Sequence, residues 1–217
     1  MIYKEWVKNE LSKIPKICQK RDKHYTLKYL LKNINKNTRA LEFGVFKGGT
    51  INIISNHVEK VYGFDSFEGL PEAWDGVVGK GYFKVEKLPK VKKNVELIQG
   101  WYNDTLDSFL KNHPEDFNLI HIDCDLYSST KYVFVKLIEY NKLKPGVIIV
   151  FDEIINYNNF MDGELKALYE INVNNNINFE WLGAHGNVIY PKNVKKDWTF
   201  KQYRQNGYQQ EAAIQIL

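Results

Sequence analysis

The chain has 217 residues, of which 44% are hydrophobic and 14% aromatic, and its formal net charge at pH 7 is +4. This composition supports a sizeable core and argues against intrinsic disorder. The small positive charge lacks the clustering of a dedicated nucleic-acid binder, so no nucleic-acid partner is expected.

Neither a membrane segment nor a disulfide framework is predicted. No window approaches the about 18 uninterrupted apolar residues of a transmembrane helix, and the N-terminus lacks the apolar core of a secretory signal. The two cysteines, Cys18 and Cys124, are too few for a zinc site or a set of disulfides. We therefore expect a soluble, cytoplasmic protein in a reducing setting.

Taken in chain order, the predicted elements begin with an N-terminal helical segment over residues 1–37, in which 23–34 has amphipathic helical spacing. Short apolar runs then predict seven strands, at 39–45, 60–66, 95–100, 117–124, 146–152, 178–185 and 211–217. Helical patterns follow the first, third, fourth and fifth strands, at 48–58, 105–113, 128–143 and 163–172.

This alternation predicts one doubly wound, Rossmann-like α/β domain over residues 38–217. Its seven-stranded sheet is expected to be mainly parallel with an antiparallel last strand, because no strong helix separates the last two strands. In such sheets ligands bind beyond the carboxyl ends of the strands.

Two of these strand ends carry a pattern suited to a nucleoside. The first strand ends in EFGVFKGGT, which contains Glu42 and Gly44 but not the glycine spacing of a dinucleotide fold. Asp65 ends the second strand, where an acid can bind both hydroxyls of a ribose. Together they favour a nucleoside that carries an amine, such as S-adenosylmethionine. A purely structural glycine turn and a helix-capping role for Asp65 are the alternatives.

Acidic residues follow the fourth and fifth strands, which are expected to be neighbours. Asp123, Asp152 and Glu153 would then converge as oxygen ligands for Mg²⁺ or another divalent cation, and Asp125 shares the face of Asp123 if the strand continues that far. The alternative is that these acids cap helices or pair with lysines. His121 is predicted to be a buried core histidine.

Five blocks of this sequence resemble those of the macrocin-type O-methyltransferases in order and spacing. They are ALEFGVFKGGTINII, VYGFDSFEGLPEAWDG, LIQGWYNDTL, IHIDCDLYSST and GVIIVFDEI, and the resemblance covers roughly residues 25–170. These enzymes are class I, S-adenosylmethionine-dependent proteins that act on sugar hydroxyls. The resemblance implies that 38–217 is a methyltransferase domain acting on a saccharide or other small molecule.

The resemblance also implies roles for individual residues. Cofactor-binding residues would be Glu42 and Gly44 at the methionine end, Asp65, Ser66 and Phe67 at the ribose, and Gly100, Trp101 and Asp104 near the adenine. Asp123 would contact the cofactor, ligate the metal and act as the catalytic base, and Asp152 would be a second ligand. Glu153 stands where the family commonly has a second Asp.

Other functions remain open at the sequence level. Asp123-x-Asp125 is also the DxD pattern of metal-dependent glycosyltransferases that use a nucleotide sugar. A non-catalytic binding protein of the same fold and an RNA methyltransferase are further alternatives, the latter because residues 84–93 are rich in lysine. The glycine-rich loop 68–81 is expected to close over the site, and a homodimer could form through the terminal strand or the N-terminal helix.

Overall fold

The protein is described by a computed structural model that covers residues 2–17, 23–74 and 76–217, so Cys18 lies outside the described residues. Seven strands form one sheet in the order β3-β2-β1-β4-β5-β7-β6. The strands are β1 (Arg39–Phe43), β2 (Lys60–Asp65), β3 (Val95–Gln99), β4 (Leu119–Ile122), β5 (Ile148–Phe151), β6 (Phe179–Gly186) and β7 (Tyr208–Ile216).

Helices cover the faces of this sheet. They are α1 (Tyr3–Lys13), α2 (Tyr25–Leu31), α3 (Gly49–Ile54), α4 (Tyr102–Asn112), α5 (Tyr127–Glu139), α6 (Glu164–Asn175) and α7 (Phe200–Gln205). Each helix predicted from the apolar periodicity is present. In α5, for example, Thr130, Val133, Phe134 and Leu137 lie on one buried face at helical spacing.

The predicted fold class is confirmed. Strands β1 to β5 pair in parallel, and β7 runs antiparallel to both β5 and β6. All four residues of β4 are buried, as expected for a central strand covered on both faces, whereas β3 at the sheet edge has mixed burial. The parallel strands therefore present their carboxyl ends along one side of the sheet.

The C-terminal strand lies inside the sheet and not at its edge. Strand β7 is inserted between β5 and β6, so β6 is the edge strand on that side. Residues 15–17 partly cover this edge, since Ile17 N donates to Ala184 O and Ala184 N donates to Pro15 O, each at 2.9 Å. The expectation that the terminal strand is free for subunit pairing is therefore wrong, because both of its sides are already paired.

Helix α7 was not predicted from the sequence. It begins at a capping box, in which Thr199 Oγ1 accepts from Gln202 N at 3.4 Å and Gln202 Oε1 accepts from Thr199 N at 2.8 Å. Among the described residues, no helix combines the length and hydropathy needed to cross a membrane.

Candidate active site

A cavity of about 390 Å³ opens at the carboxyl ends of the parallel strands. It is lined by eight of the residues predicted from the sequence: Gly44, Asp65, Ser66, Gly100, Trp101, Asp123, Asp152 and Glu153. Three others do not line it. Glu42 is completely buried beneath the cavity wall, Phe67 packs into the core, and Asp104 is exposed to solvent in the first turn of α4.

Gly44 allows the ends of β1 and β4 to meet at the cavity. Its φ is +97°, and a Cβ at this position would lie 1.9 Å from the carbonyl oxygen of Asp123. The backbone continues the sheet on both sides, because Gly44 N donates to Phe64 O and Asp123 N donates to Phe43 O. Only glycine fits here, so this residue is explained by backbone geometry as well as by its place in the cavity wall.

Asp65 connects the glycine turn to β2. Its Oδ2 accepts hydrogen bonds from Val45 N at 2.9 Å and Phe46 N at 2.7 Å, and its Oδ1 accepts from Phe67 N at 2.6 Å. Both lone pairs of Oδ2 are therefore used, whereas Oδ1 keeps a second lone pair that is available to a ligand. Asp65 therefore shapes the cavity wall, while its predicted contact with ribose stays a prediction.

Glu42 lies behind the glycine turn in a buried polar group. Thr50 Oγ1 donates a short hydrogen bond to Glu42 Oε1, and His121 Nδ1 lies 3.3 Å from the same oxygen. Burial lowers the pKa of His121, but the Glu42 carboxylate outweighs burial and raises it above its ordinary value. His121 is fully buried, as predicted.

Three carboxylates form what we call the acid triad: Asp123, Asp125 and Glu153. One oxygen from each lies within 4.8 Å of the others, and Glu153 Oε2 is buried with no hydrogen-bond partner among the described residues. An unpartnered carboxylate oxygen in an all-oxygen group is the arrangement that a hard cation such as Mg²⁺ satisfies. The residues present therefore fit a divalent cation.

The structure groups Asp123 and Glu153 with Asp125 and leaves Asp152 beside them. Asp152 Oδ1 is 2.9 Å from Nδ1 of His24, a residue that precedes α2. Burial alone would raise the pKa of Asp152, but its hydrogen bonds with His24 and Glu153 lower it below its ordinary value. Asp152 as a ligand of the same cation stays a prediction.

The acid triad is electrostatically unusual. Burial raises the pKa of Asp123, Asp125 and Glu153 well above the ordinary range, and the charge of Asp152 raises all three further. A group of acids held this close together is unfavourable without a cation or protons. Perturbed carboxyl groups in a cleft are typical of functional sites.

The turn that carries Asp125 is held by a residue that the sequence analysis missed. Asp125 has a φ of +62°, a left-handed conformation that is uncommon for a residue with a side chain. Glu164, at the start of α6, accepts a hydrogen bond from Cys124 N at 3.2 Å. This contact fixes the turn between β4 and α5 and so positions the triad.

One side of the cavity is aromatic. Rings of Trp74, Tyr157 and Phe200 pack together with centroids 5.2–5.7 Å apart, and Trp74 and Phe200 line the cavity. Arg204 of α7 lies above Phe200, with a guanidinium nitrogen 3.9 Å from Glu153. Residues 187–210 lie beyond the part of the chain that resembles the macrocin-type enzymes, yet Phe200 and Arg204 of this segment line the cavity.

The predicted loop 68–81 also lines the cavity. Gly69, Leu70, Trp74 and Val78 belong to its wall, and Trp74 N donates to Val78 O at 2.9 Å across a tight turn. Trp101 and Tyr102 lie on another side, where the sequence analysis placed an adenine. The lysine-rich residues 84–93 do not line the cavity, and this favours their interpretation as a solvated loop.

The strand order and the position of the cavity define a Rossmann-like methyltransferase fold. A family model described as "Methyltransferase domain" matches residues 41–154, more than half of the chain. The chain therefore belongs to this methyltransferase family, which confirms the family resemblance and leaves the glycosyltransferase alternative without support. Comparison of the sequence with curated proteins gives no significant match.

Solved structures with the same fold include several methyltransferases. One is CalS11, a TDP-rhamnose 3'-O-methyltransferase of calicheamicin biosynthesis. It has a TM-score of 0.55 and 17% identity, with coverage of 98% of this chain and 92% of that chain. The O-methyltransferase NovP has a TM-score of 0.52 and 17% identity, with coverage of 98% of this chain and 78% of that chain. An O-methyltransferase from Bacillus cereus in complex with SAH has a TM-score of 0.54 and 16% identity, with coverage of 99% of this chain and 90% of that chain. At identities of 16–17%, these structural similarities establish the fold of this chain.

Proposed function

We propose that this protein is an S-adenosylmethionine-dependent O-methyltransferase that uses a divalent cation such as Mg²⁺. Its acceptor would be a hydroxyl group of a sugar or of a glycosylated small molecule. The observation that carries this proposal is that one cavity, in a chain of the methyltransferase family, joins the glycine turn at Gly44 to the acid triad.

The two halves of the cavity suggest different roles. Gly44, Asp65 and Trp101 would hold the cofactor at the ends of β1, β2 and β3. The acceptor would lie between the acid triad and the aromatic wall of Trp74 and Phe200, where a sugar ring can pack on an aromatic face. CalS11, a TDP-rhamnose 3'-O-methyltransferase with the same fold, supports this acceptor class by analogy.

The protein's own groups must activate and align the acceptor hydroxyl. Asp123, Asp125 and Glu153 would hold the cation, which would lower the pKa of a bound hydroxyl, and S-adenosylmethionine would supply the methyl group. Asp123 would accept the hydroxyl proton as the acceptor oxygen bonds to the methyl carbon and the carbon–sulfur bond breaks, with S-adenosylhomocysteine as the leaving group. Loop 68–81 would exclude water and so protect the reaction from hydrolysis.

Calorimetry of S-adenosylmethionine binding, with and without Mg²⁺, tests the cofactor. We expect micromolar binding by the wild type and at least about a tenfold loss in Asp65→Ala, which removes both the free lone pair of Oδ1 and the anchor of the glycine turn. Glu86→Ala is the control, because Glu86 is an exposed acid that does not line the cavity. Equal binding by all three proteins would contradict the assigned cofactor site.

A second experiment separates the proposal from the glycosyltransferase alternative. Thermal unfolding would be followed with S-adenosylmethionine and Mg²⁺, and separately with UDP-glucose and Mn²⁺, and each Tm would be compared with that measured in the same metal alone. Since a ligand that binds only the folded state raises the Tm, the proposal predicts a shift with the first pair alone. A shift only with UDP-glucose and Mn²⁺ would overturn it.

A further inference from the structure

A second group of potential ligands lies on three neighbouring strands, next to the acid triad. Ala212 of β7 pairs with both Phe151 and Ala184. The residues adjoining these three positions are Asp152, Glu211 and His185, so the register brings their backbones side by side at one end of the sheet. All three side chains are more than nine-tenths buried.

His24 completes this group from the start of α2. Single ligand atoms of His24, Asp152 and Glu211 all lie within 4.8 Å of one another, and His24 Nδ1 is 2.9 Å from Asp152 Oδ1. Glu211 is held in place because its two oxygens accept from the backbone nitrogens of Thr26 and Leu27, at 2.7 and 3.0 Å. Each of these oxygens keeps another lone pair for a ligand.

His185 supplies an independent indication that a ligand belongs here. Its side chain is 1% exposed, and neither ring nitrogen has a hydrogen-bond partner within the described parts of the chain. The nearer nitrogen, Nδ1, lies 3.7 Å from Glu211 Oε2, so the ring faces the group. A buried imidazole without partners is unfavourable, and a metal ion is one of the few ligands that satisfies it.

We propose that His24, His185, Asp152 and Glu211 form a second cation site, for a divalent transition metal of the Zn²⁺ type. Two imidazoles and two carboxylates are a donor set that Zn²⁺ accepts in a tetrahedral arrangement, and the two carboxylates balance its charge. Tetrahedral ligands about 2.0–2.1 Å from Zn²⁺ are about 3.3 Å apart. The separations of 2.9 Å for His24–Asp152 and 3.7 Å for His185–Glu211 are near this value. His24, Asp152 and Glu211 already have ligand atoms within 4.8 Å of one another, and the His185 ring would move toward them to complete the set.

This site differs in chemistry from the acid triad. The triad offers only oxygen ligands, which suit Mg²⁺, whereas the second group includes nitrogen ligands, which favour a transition metal. Asp152 contacts His24 of the second group and Glu153 of the first, so it lies between the two sites. An ion in the second site would join α2 to β5, β6 and β7.

The test uses the full-length protein, stripped with a chelator and then titrated with Co²⁺ as a spectroscopic substitute for Zn²⁺, in excess Mg²⁺ so that the acid triad is already occupied. We expect one Co²⁺ per chain with the visible absorption of a four-coordinate site, displaced by an equivalent of Zn²⁺. His24→Gln and His185→Gln are each expected to weaken Co²⁺ binding at least tenfold. Circular dichroism verifies that each variant is folded. Because His24 is partly exposed and His185 is buried, we expect His24→Gln to disturb folding less than His185→Gln.

Two control variants distinguish this site from other ligands. His57→Gln removes a histidine outside both groups, and Asp125→Asn removes a triad carboxylate, so neither is expected to change the Co²⁺ spectrum. Absence of Co²⁺ binding by the wild type would overturn the proposal. So would binding that is unaffected in folded His24→Gln, or binding that Asp125→Asn abolishes and the histidine variants leave intact.

Discussion

Gly44 shows how one missing side chain positions two strand ends. Because its Cβ would lie 1.9 Å from Asp123 O and its φ is +97°, Gly44→Ala must displace either the turn or β4. We expect this variant to lose roughly 3 kcal/mol of unfolding free energy, from overpacking and backbone strain. Urea denaturation measures the loss, and calorimetry is expected to show that S-adenosylmethionine binding is lost as well.

Gly49→Ala is the matched control for this prediction. A Cβ on Gly49 would meet no atom within 4 Å, and the residue is the first of α3, where alanine favours the helix. We expect unchanged or slightly higher stability. A comparable loss in both variants would show that general sensitivity of the turn, and not the contact with Asp123, causes the effect.

The sequence was informative about site residues whose position follows from a strand end. Gly44, Asp65, Asp123 and Asp152 line the cavity because each directly follows or ends a parallel strand. Contacts between distant segments could not be predicted in the same way. His24 meets Asp152 across 128 residues of sequence, and no local pattern encodes that pairing.

At the scale of elements, α7 links local capping to the cavity. Thr199→Ala removes the capping box that starts this short helix, which costs about 1 kcal/mol of local stability. Because that energy corresponds to about fivefold in an equilibrium constant, amide exchange at Tyr203 and Arg204 is expected to accelerate about fivefold. Hydrogen exchange followed by mass spectrometry measures this change.

Lys201→Ala provides the comparison, since Lys201 is exposed in the same helix and outside the cap. Exchange in α7 is expected to stay at the wild-type rate in this variant. If Thr199→Ala also leaves exchange unchanged, the capping box does not stabilise α7. The T-x-x-Q pattern at 199–202 was the available signal for this helix, but six residues are too short for apolar periodicity to reveal it.

The contact between α5 and α6 is expected to depend on pH. Glu170 accepts from Tyr127 and pairs with Lys131, each at 2.8 Å. Burial raises the pKa of Glu170, but these two partners outweigh burial and lower it below the ordinary 4.5. A carboxyl whose pKa is lower in the folded state stabilises the fold above its unfolded pKa, and this stabilisation is lost as the pH falls.

Glu170→Gln is therefore expected to be less stable than the wild type at pH 6, with a difference that shrinks below pH about 4. Urea midpoints measured from pH 6 to pH 3 would show this convergence. Glu68→Gln is the control, because Glu68 is exposed in a loop. The difference in urea midpoint between this variant and the wild type is expected to stay the same from pH 6 to pH 3. A Glu170→Gln difference that stays constant with pH would contradict the assigned role of the ion pair.

At the scale of the whole molecule, the N-terminal segment packs against the C-terminal half. Trp6 of α1 is 3% exposed, its Nε1 donates to Asn172 Oδ1 at 2.9 Å, and its ring contacts Tyr169 and Phe179. We expect Trp6→Ala to cost about 3–5 kcal/mol, because the substitution leaves a cavity between α1, α6 and β6. Urea unfolding monitored by near- and far-ultraviolet circular dichroism measures the loss.

Ile2→Ala is the control, since Ile2 is 70% exposed and its truncation is expected to change stability by less than about 0.5 kcal/mol. If Trp6→Ala produces a similarly small change, α1 is not part of the cooperative unit. The alternating apolar and helical patterns were sufficient to predict the sheet, because they are local. The docking of α1 depends on contacts with residues 169–179, so the sequence predicted the helix but not its partner.

The position of β7 has a consequence for the order of synthesis. Strand β6 leaves the ribosome before the strand that connects it to β5, so it has no neighbour in the sheet until residues 208–216 have also emerged. The last strand then pairs with β5 on one side and with β6 on the other. Glu211 and His185 come together only in this step, so the sheet and the proposed second cation site are both completed after the carboxylates of the acid triad have been translated.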